Sequence, residues 1–250
     1  FQSIDRIAIR NYCDFAEVGL YAAAFKIVAV MSLIQNSFTN YWVPVSYESY
    51  EKNPNNTGIF EKVSLFVSAI MFISGIVIVI FKDLIFLLLE SSYRSAAGLT
   101  SFLLLMPIID TVSYVTTVGI NFKKKTYLYI IRATIAAIIN VVGNIFLVPK
   151  YGAEGAALST AISYVVYFFI GTYFSQKLYS VNYHLSKFYI STFVFLLVSF
   201  INTFIPIIYL QVISAVVGFV IICYLYKDQI FYLLNITKAG VDKVRKSKTK

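Results

Sequence analysis

Stretches with no charged residue alternate along this chain with short polar segments. Residues 63–81 and 155–176 are uncharged, and no charge falls between Lys187 and Lys227. A helix needs roughly 20 apolar residues to cross about 30 Å of hydrocarbon, so the first two runs predict one membrane span each. The third is long enough for two, and Asn202, Thr203, Pro206 and Gln211 in its interior mark a turn between them. The same reading along the whole chain predicts a helix end at 1–11, then spans near 18–43, 63–81, 97–118, 127–148, 155–175, 188–207 and 211–226. Barrel strands alternate inward and outward residues over about 10 positions, whereas these runs are longer and uniformly apolar. In lipid a chain satisfies its backbone only within helices or closed barrels. The predicted fold class is therefore an all-α integral membrane protein, a polytopic helical bundle following a truncated first helix.

Composition agrees with the pattern. Of 250 residues, 59% are hydrophobic and 13% charged, about half the charged share of an ordinary soluble domain. The net charge of +9 gathers in short loops and at the tail, not on an aromatic-interleaved face, so it argues for topology and against nucleic acid. With the tail 227–250 in the cytoplasm, alternation places Lys52, Lys62, Lys123, Lys124, Lys125, Lys177 and Lys187 on the same inner side. The opposite side carries fewer bases, Arg6, Arg10, Lys82, Arg94 and Lys150. This orientation satisfies the positive-inside rule and predicts a multi-pass protein of the cell inner membrane. The tail also reads as a lipid-binding polybasic segment, the less economical interpretation.

Cys13 and Cys223 lie far apart and suggest neither a disulfide framework nor a metal site. The chain opens on Phe1 and polar residues, which predicts a C-terminal piece of a longer protein. His184, in an inner loop, has no sequence neighbour that would make it catalytic or metal-binding. The Asn-x-Thr matches at Asn55 and Asn235 fall on the inner side and read as chance.

Three outer turns share a small-residue layout: AEVGLYAAA at 16–24, YRSAAGLTS at 93–101 and AEGAALSTA at 153–161. Small residues let helices approach closely in a membrane, so these predict tight helical hairpins. In the third, Pro149 is expected to end one span, with Gly152 and Gly155 letting the backbone reverse.

Asp5-Arg6, VGLYAAAFKI at 18–27, a helix ending in Trp42-Val43-Pro44, KKKTY at 123–127 before a helix with Asn140 and Asn144, and LVPKYGAEGAALSTAIS at 147–163 together resemble the Wzx-type polysaccharide flippases. These belong to the superfamily of the multidrug and toxin extrusion transporters. The likeness runs to about residue 177. It implies that 1–177 is the second lobe of a two-lobed bundle and that a first lobe belongs to the same protein. It further implies that 178–226 is an additional helix pair, followed by the basic tail 227–250. The implied function is alternating-access flipping of polyprenyl-pyrophosphate-linked oligosaccharide from the inner to the outer leaflet, for surface polysaccharide, with no bond chemistry. No catalytic residue, metal or cofactor is expected; coupling to protons or sodium is.

Charges at membrane depth usually face a cavity or a partner. Lys26 and Arg132 are the predicted contacts to a pyrophosphate, with snorkelling toward the headgroups as the alternative for each. Asn36 and Asn140 are candidate sugar contacts, although Gln35, Asn36, Asn40, Asn140 and Asn144 also read as interhelical hydrogen-bonding residues. Asp110, after Pro107, is the candidate ion-coupling carboxylate or else a structural partner. A cation-coupled drug antiporter of the same fold remains a competing function. A membrane glycosyltransferase or polymerase is a weaker one, since the chain has no substantial loop with clustered carboxylates.

Overall fold

The computed structural model describes residues 2–88 and 90–235. Among these every regular element is helical: α1 (Gln2–Tyr12), α2 (Phe15–Lys52), α3 (Gly58–Leu87), a 3-10 turn (Ser91–Ala96), α4 (Ala97–Leu103), α5 (Leu105–Thr116), α6 (Val118–Phe122), α7 (Tyr127–Leu178), α8 (Leu185–Phe204) and α9 (Ile208–Leu225). Among the described residues six helical segments are long and apolar enough to cross a membrane. The chain is an all-α, multi-pass membrane protein. The basic tail beyond residue 235 and the threonine that completes the Asn235 motif lie outside the described residues.

Helix α2 does not stop at Trp42-Val43-Pro44 as predicted. It continues through Pro44 for 38 residues, about 57 Å at 1.5 Å per residue, and so outruns the hydrocarbon core. Its start is set by Asp14, whose carboxylate accepts from the Glu17 backbone N at 2.9 Å, satisfying one of the free N–H groups of the first turn. Helix α3 also overruns its prediction, and Lys82 and Asp83 lie within it rather than in a loop. Lys82 is buried, its Nζ donating to both Asp83 oxygens at 3.0 Å and to Gln211 Oε1 at 3.2 Å. Pairing is what makes that burial tolerable.

The third span is the most irregular. Its backbone stays helical through Leu104, at φ −63° and ψ −24°, so α4 runs on into α5, and it departs only at Thr117, at φ −102° and ψ 10°, before the short α6. Its most apolar window is 78% buried, against 17% for α9. Backbone groups freed where the helix ends near Thr117 need partners from elsewhere in the fold. Here Gly119 N is satisfied by Ser175 Oγ at 3.0 Å, and Thr116 and Thr172 exchange a hydroxyl bond at 2.8 Å.

Helix α7 is a hairpin drawn as one element. Only Gly152 leaves the helical region, at φ 55° and ψ −136°, a conformation that glycine alone adopts cheaply. The arms 127–151 and 153–178 then run antiparallel, with Ser159 Oγ donating to Asn140 O at 2.9 Å and Asn140 Nδ2 to Thr160 Oγ1 at 3.1 Å. Pro149 therefore sits inside the first arm and does not end it. Gly155 is helical and plays no part in the reversal: a Cβ there would lie 2.5 Å from Leu147 O, so its role is to let the arms touch.

The small-residue stretches do pack as expected, with Ala23, Ala24, Ala96, Ala97, Ala153, Ala156 and Ala157 buried. Gly98 lies so close to α8 that a Cβ would meet the Asn202 carbonyl at 3.3 Å. The third span, α4 with α5, forms the centre, packed on α2, α3, α7 and α8, while α1 packs on α7 and α9 packs on α3 and α8. One end of the bundle gathers Cys13 against Val148 and the ring of Tyr151 against Phe204. The other end stacks Tyr50 on Phe122, ties Tyr179 to the Pro54 carbonyl at 2.9 Å and pairs His184 with Glu61 at 2.7 Å. His184 thus has an acidic partner 123 residues away, which its sequence neighbours gave no sign of.

Candidate functional site

The first arm of α7 presents Arg132, Ala136, Asn140 and Asn144 at four-residue intervals, all buried. Residues four apart share one helix face, so this polar stripe faces the interior. The second arm answers it with Thr160, Tyr164, Tyr167 and Gly171. Two separate centres form along this seam.

The deeper centre is Asp5, which is fully buried on α1. Its carboxylate accepts from Tyr21 OH at 2.6 Å and Thr160 Oγ1 at 2.7 Å on one oxygen. The other oxygen takes Asn144 Nδ2 at 2.8 Å and Asn140 Nδ2 at 3.0 Å. Four neutral donors around one carboxylate compensate much of its desolvation. The Oδ1 atom of Asn144 is buried there with no partner. Arg6, next in sequence, points out of the bundle and is exposed, as expected of adjacent residues on one helix.

The second centre surrounds Arg132. Its Nη1 donates to Ser113 Oγ at 2.9 Å and its Nη2 to Tyr167 OH at 2.7 Å. The guanidinium carbon lies 4.0 Å from the Tyr167 ring centroid and 4.5 Å from that of Tyr129, within range for cation–π attraction. Arg132 retains 6% of its exposure. It does not snorkel. The close approach depends on Gly171, where a Cβ would sit 2.5 Å from Nη1.

A cavity of about 480 Å³ opens beside this guanidinium. Tyr47, Tyr114, Tyr129 and Tyr167 supply its aromatic walls, and Ser46 and Asn121 its polar positions. The break in the third span lies on its wall at Thr117, whose carbonyl accepts from Tyr129 OH at 3.3 Å. A second concavity, between α8 and α9, is lined almost wholly by aliphatic side chains such as Leu197, Ile201 and Ile213. Ser214 supplies a hydroxyl to it, already donating to Gln211 O at 2.8 Å.

The predicted site residues are only partly brought together. Arg132 lines the cavity. Asn140 does not: it holds Asp5 and Thr160 in the interior. Asp110 is half-buried and accepts from Gln35 Nε2 at 2.6 Å. Lys26 and Asn36 are exposed on α2, outside the cavity lining. Tyr47, Tyr114, Tyr129 and Tyr167 are not among the residues the sequence singled out. For Tyr129 the i, i+3 spacing to Arg132 was the available signal; the others come from different helices. Just outside the spans, burial pushes the Tyr183 phenol well up, so it stays protonated and donates to Val115 O at 3.2 Å.

Compared with family models, curated proteins and solved structures, the chain matches none.

Proposed function

We propose that this chain forms the C-terminal lobe of an alternating-access transporter that flips polyprenyl-pyrophosphate-linked oligosaccharide across the cell inner membrane for surface polysaccharide synthesis. The observation that carries this reading is the cavity walled by four tyrosines and one buried arginine, where the ends of α2 and α5 meet the two arms of α7. Tyrosine faces suit sugar rings, and a guanidinium suits phosphate. A site for cationic drugs wants the opposite charge, which places the antiporter second. The first lobe of the same protein would complete the cavity, and the end carrying Lys123, Lys124 and Lys125 would face the cytoplasm with the basic tail.

Asp110 and Asp5 are the candidates for coupling to a proton or sodium gradient. Asp110 is held by Gln35. Asp5 has the richer surroundings, with Thr160 and the unpartnered Asn144 Oδ1 supplying further oxygens of the kind a hard cation takes.

The test is reconstitution of the full-length protein in vesicles with a fluorescent polyprenyl-pyrophosphate oligosaccharide, scored by an impermeant quencher. Transfer between leaflets faster than in protein-free vesicles is the expected result. Efflux of a cationic dye without glycolipid transfer would instead identify an antiporter, and a lengthened or cleaved glycan would identify an enzyme.

A further inference from the structure

We propose that Arg132 with Tyr129, Tyr167 and Ser113 is a built oxyanion site that takes the phosphate group of a ligand entering the cavity. Among the described residues the ion pairs are Lys52 with Glu48, Lys82 with Asp83 and His184 with Glu61, and Arg132 belongs to none of them. Asp110 lies within electrostatic range of Arg132 but makes no ion-pair contact with it, so the buried cation is only partly compensated, which is costly in a low-dielectric interior. The two other buried charges of the bundle are compensated. Asp5 has four donors, and Lys82 has a carboxylate and an amide oxygen.

Arg132 is different because both of its partners, Ser113 and Tyr167, are neutral hydroxyls. A guanidinium carries five N–H donors in a rigid fork, and two are engaged. Its Nε is buried with no partner at all. The rings of Tyr129 and Tyr167 hold the group in place while leaving that capacity unused. The adjacent volume of about 480 Å³ has room for a phosphate and more.

The chemistry of the approach has the same sign. Asn121 and Tyr129 both line the cavity, and the turn between them carries exposed Lys123, Lys124 and Lys125. An anion moving in from that end meets positive potential first and the desolvated guanidinium second, an arrangement that raises encounter rates. Planar, bidentate recognition of phosphate oxygens is what arginine does better than lysine.

The choice of a polyprenyl-linked phosphate as the natural ligand rests on the flippase reading; the oxyanion site does not. The experiment uses the full chain in nanodiscs of zwitterionic lipid, with binding followed by calorimetry. Inorganic pyrophosphate and farnesyl pyrophosphate are the two anionic probes, and farnesol is the neutral control. Wild type binds at least one anionic probe and not farnesol. Binding of pyrophosphate alone would place recognition in the free anion, whereas a requirement for the farnesyl chain would place it in a lipid headgroup; either supports the site. Arg132→Gln weakens binding at least tenfold, and Arg132→Lys recovers part of it. Tyr167→Phe keeps the ring and removes only the hydroxyl, so it tests the site without emptying the core and lowers affinity several-fold. Unchanged affinity in Arg132→Gln, or in Tyr167→Phe where Arg132→Gln does not fold, overturns the proposal, as does equal binding of farnesol. Arg132-dependent binding without glycolipid transfer leaves the site standing and removes the flippase reading. Undiminished transfer in Arg132→Gln does the reverse.

Discussion

Arg132 lies flat across Gly171. A methyl group at residue 171 would stand 2.5 Å from Nη1 and 2.9 Å from Cδ of the arginine, so the absence of a side chain on one arm of α7 sets the position of the guanidinium on the other. The relationship joins packing to chemistry. Had residue 171 been alanine, Arg132 would have had to give up Ser113, Tyr167 or the ring contacts.

That yields the first prediction. Gly171→Ala costs stability by overpacking, about 1–3 kcal/mol, and moves Arg132 out of register with its hydroxyl partners. Pyrophosphate affinity falls by about tenfold, equivalent to roughly 1.4 kcal/mol. Calorimetry beside thermal unfolding checks both effects. A destabilised variant with wild-type affinity would show that Gly171 serves packing alone.

Asp5 is expected to dominate the polar energetics of the bundle. Asp5→Ala strands Tyr21, Thr160, Asn140 and Asn144 without their common acceptor. Each buried group left unmade costs about 1–3 kcal/mol, so a net loss of about 3 kcal/mol or more is expected. Asp110→Ala removes the acceptor of Gln35 and a carboxylate that acts electrostatically on Arg132, and costs about 1 kcal/mol. Denaturant titration in micelles compares the two, and equal losses would contradict the ranking.

The hairpin of α7 separates conformation from contact. Gly152→Ala is forced into a positive-φ backbone that costs a side-chain-bearing residue about 1–3 kcal/mol, with a Cβ placed 2.9 Å from the movable Glu17 carboxylate. Gly155→Ala has ordinary helical backbone but drives a methyl into Leu147 O and C, which can yield only by parting the arms. The larger loss of thermal stability is expected at Gly155. Glu17→Gln is the control: its Oε2 accepts from Ala153 N at 3.0 Å and caps the second arm, so losing that charge costs about 1 kcal/mol.

Orientation is testable with thiol chemistry outside the spans. Cys13 lies at one end of the bundle and Lys124 at the other. An impermeant maleimide added to intact cells labels Cys13, and labels Lys124→Cys in a Cys13→Ser background only after the membrane is opened. Burial first, then the charges of Glu17 and Asp14, holds the Cys13 thiol above its ordinary pKa. Thiolate is therefore scarcer at a given pH, labelling of Cys13 quickens as pH rises through that value, and Asp14→Asn or Glu17→Gln speeds it near pH 8. The reverse labelling pattern would invert the topology.

Charge-free runs of this length, such as 155–176, have one physical outcome in a bilayer, because only a helix satisfies their backbone without water. Helicity, the approximate spans and the hairpin at residues 149–155 were therefore legible from the sequence by itself. The division of labour inside that hairpin was not. Proline 149 reads as a terminator, but a helix end at the membrane surface can carry it, and the reversal falls on Gly152, where φ is positive.

Which polar residue meets which was decided by tertiary structure alone. Asp5 finds Asn144 across 139 residues and Thr160 across 155, pairings that no local pattern encodes. Lys26 and Arg132 look alike in the sequence, each a lone cation less than three turns into a span. The facing helix separates them: Arg132 meets Gly171, Ser113 and two tyrosine rings and is buried, whereas Lys26 meets no such recess and stays exposed. Apolar length determines that a segment crosses the membrane; the shape of its neighbour determines whether a charge on it is left at the surface or held at a site.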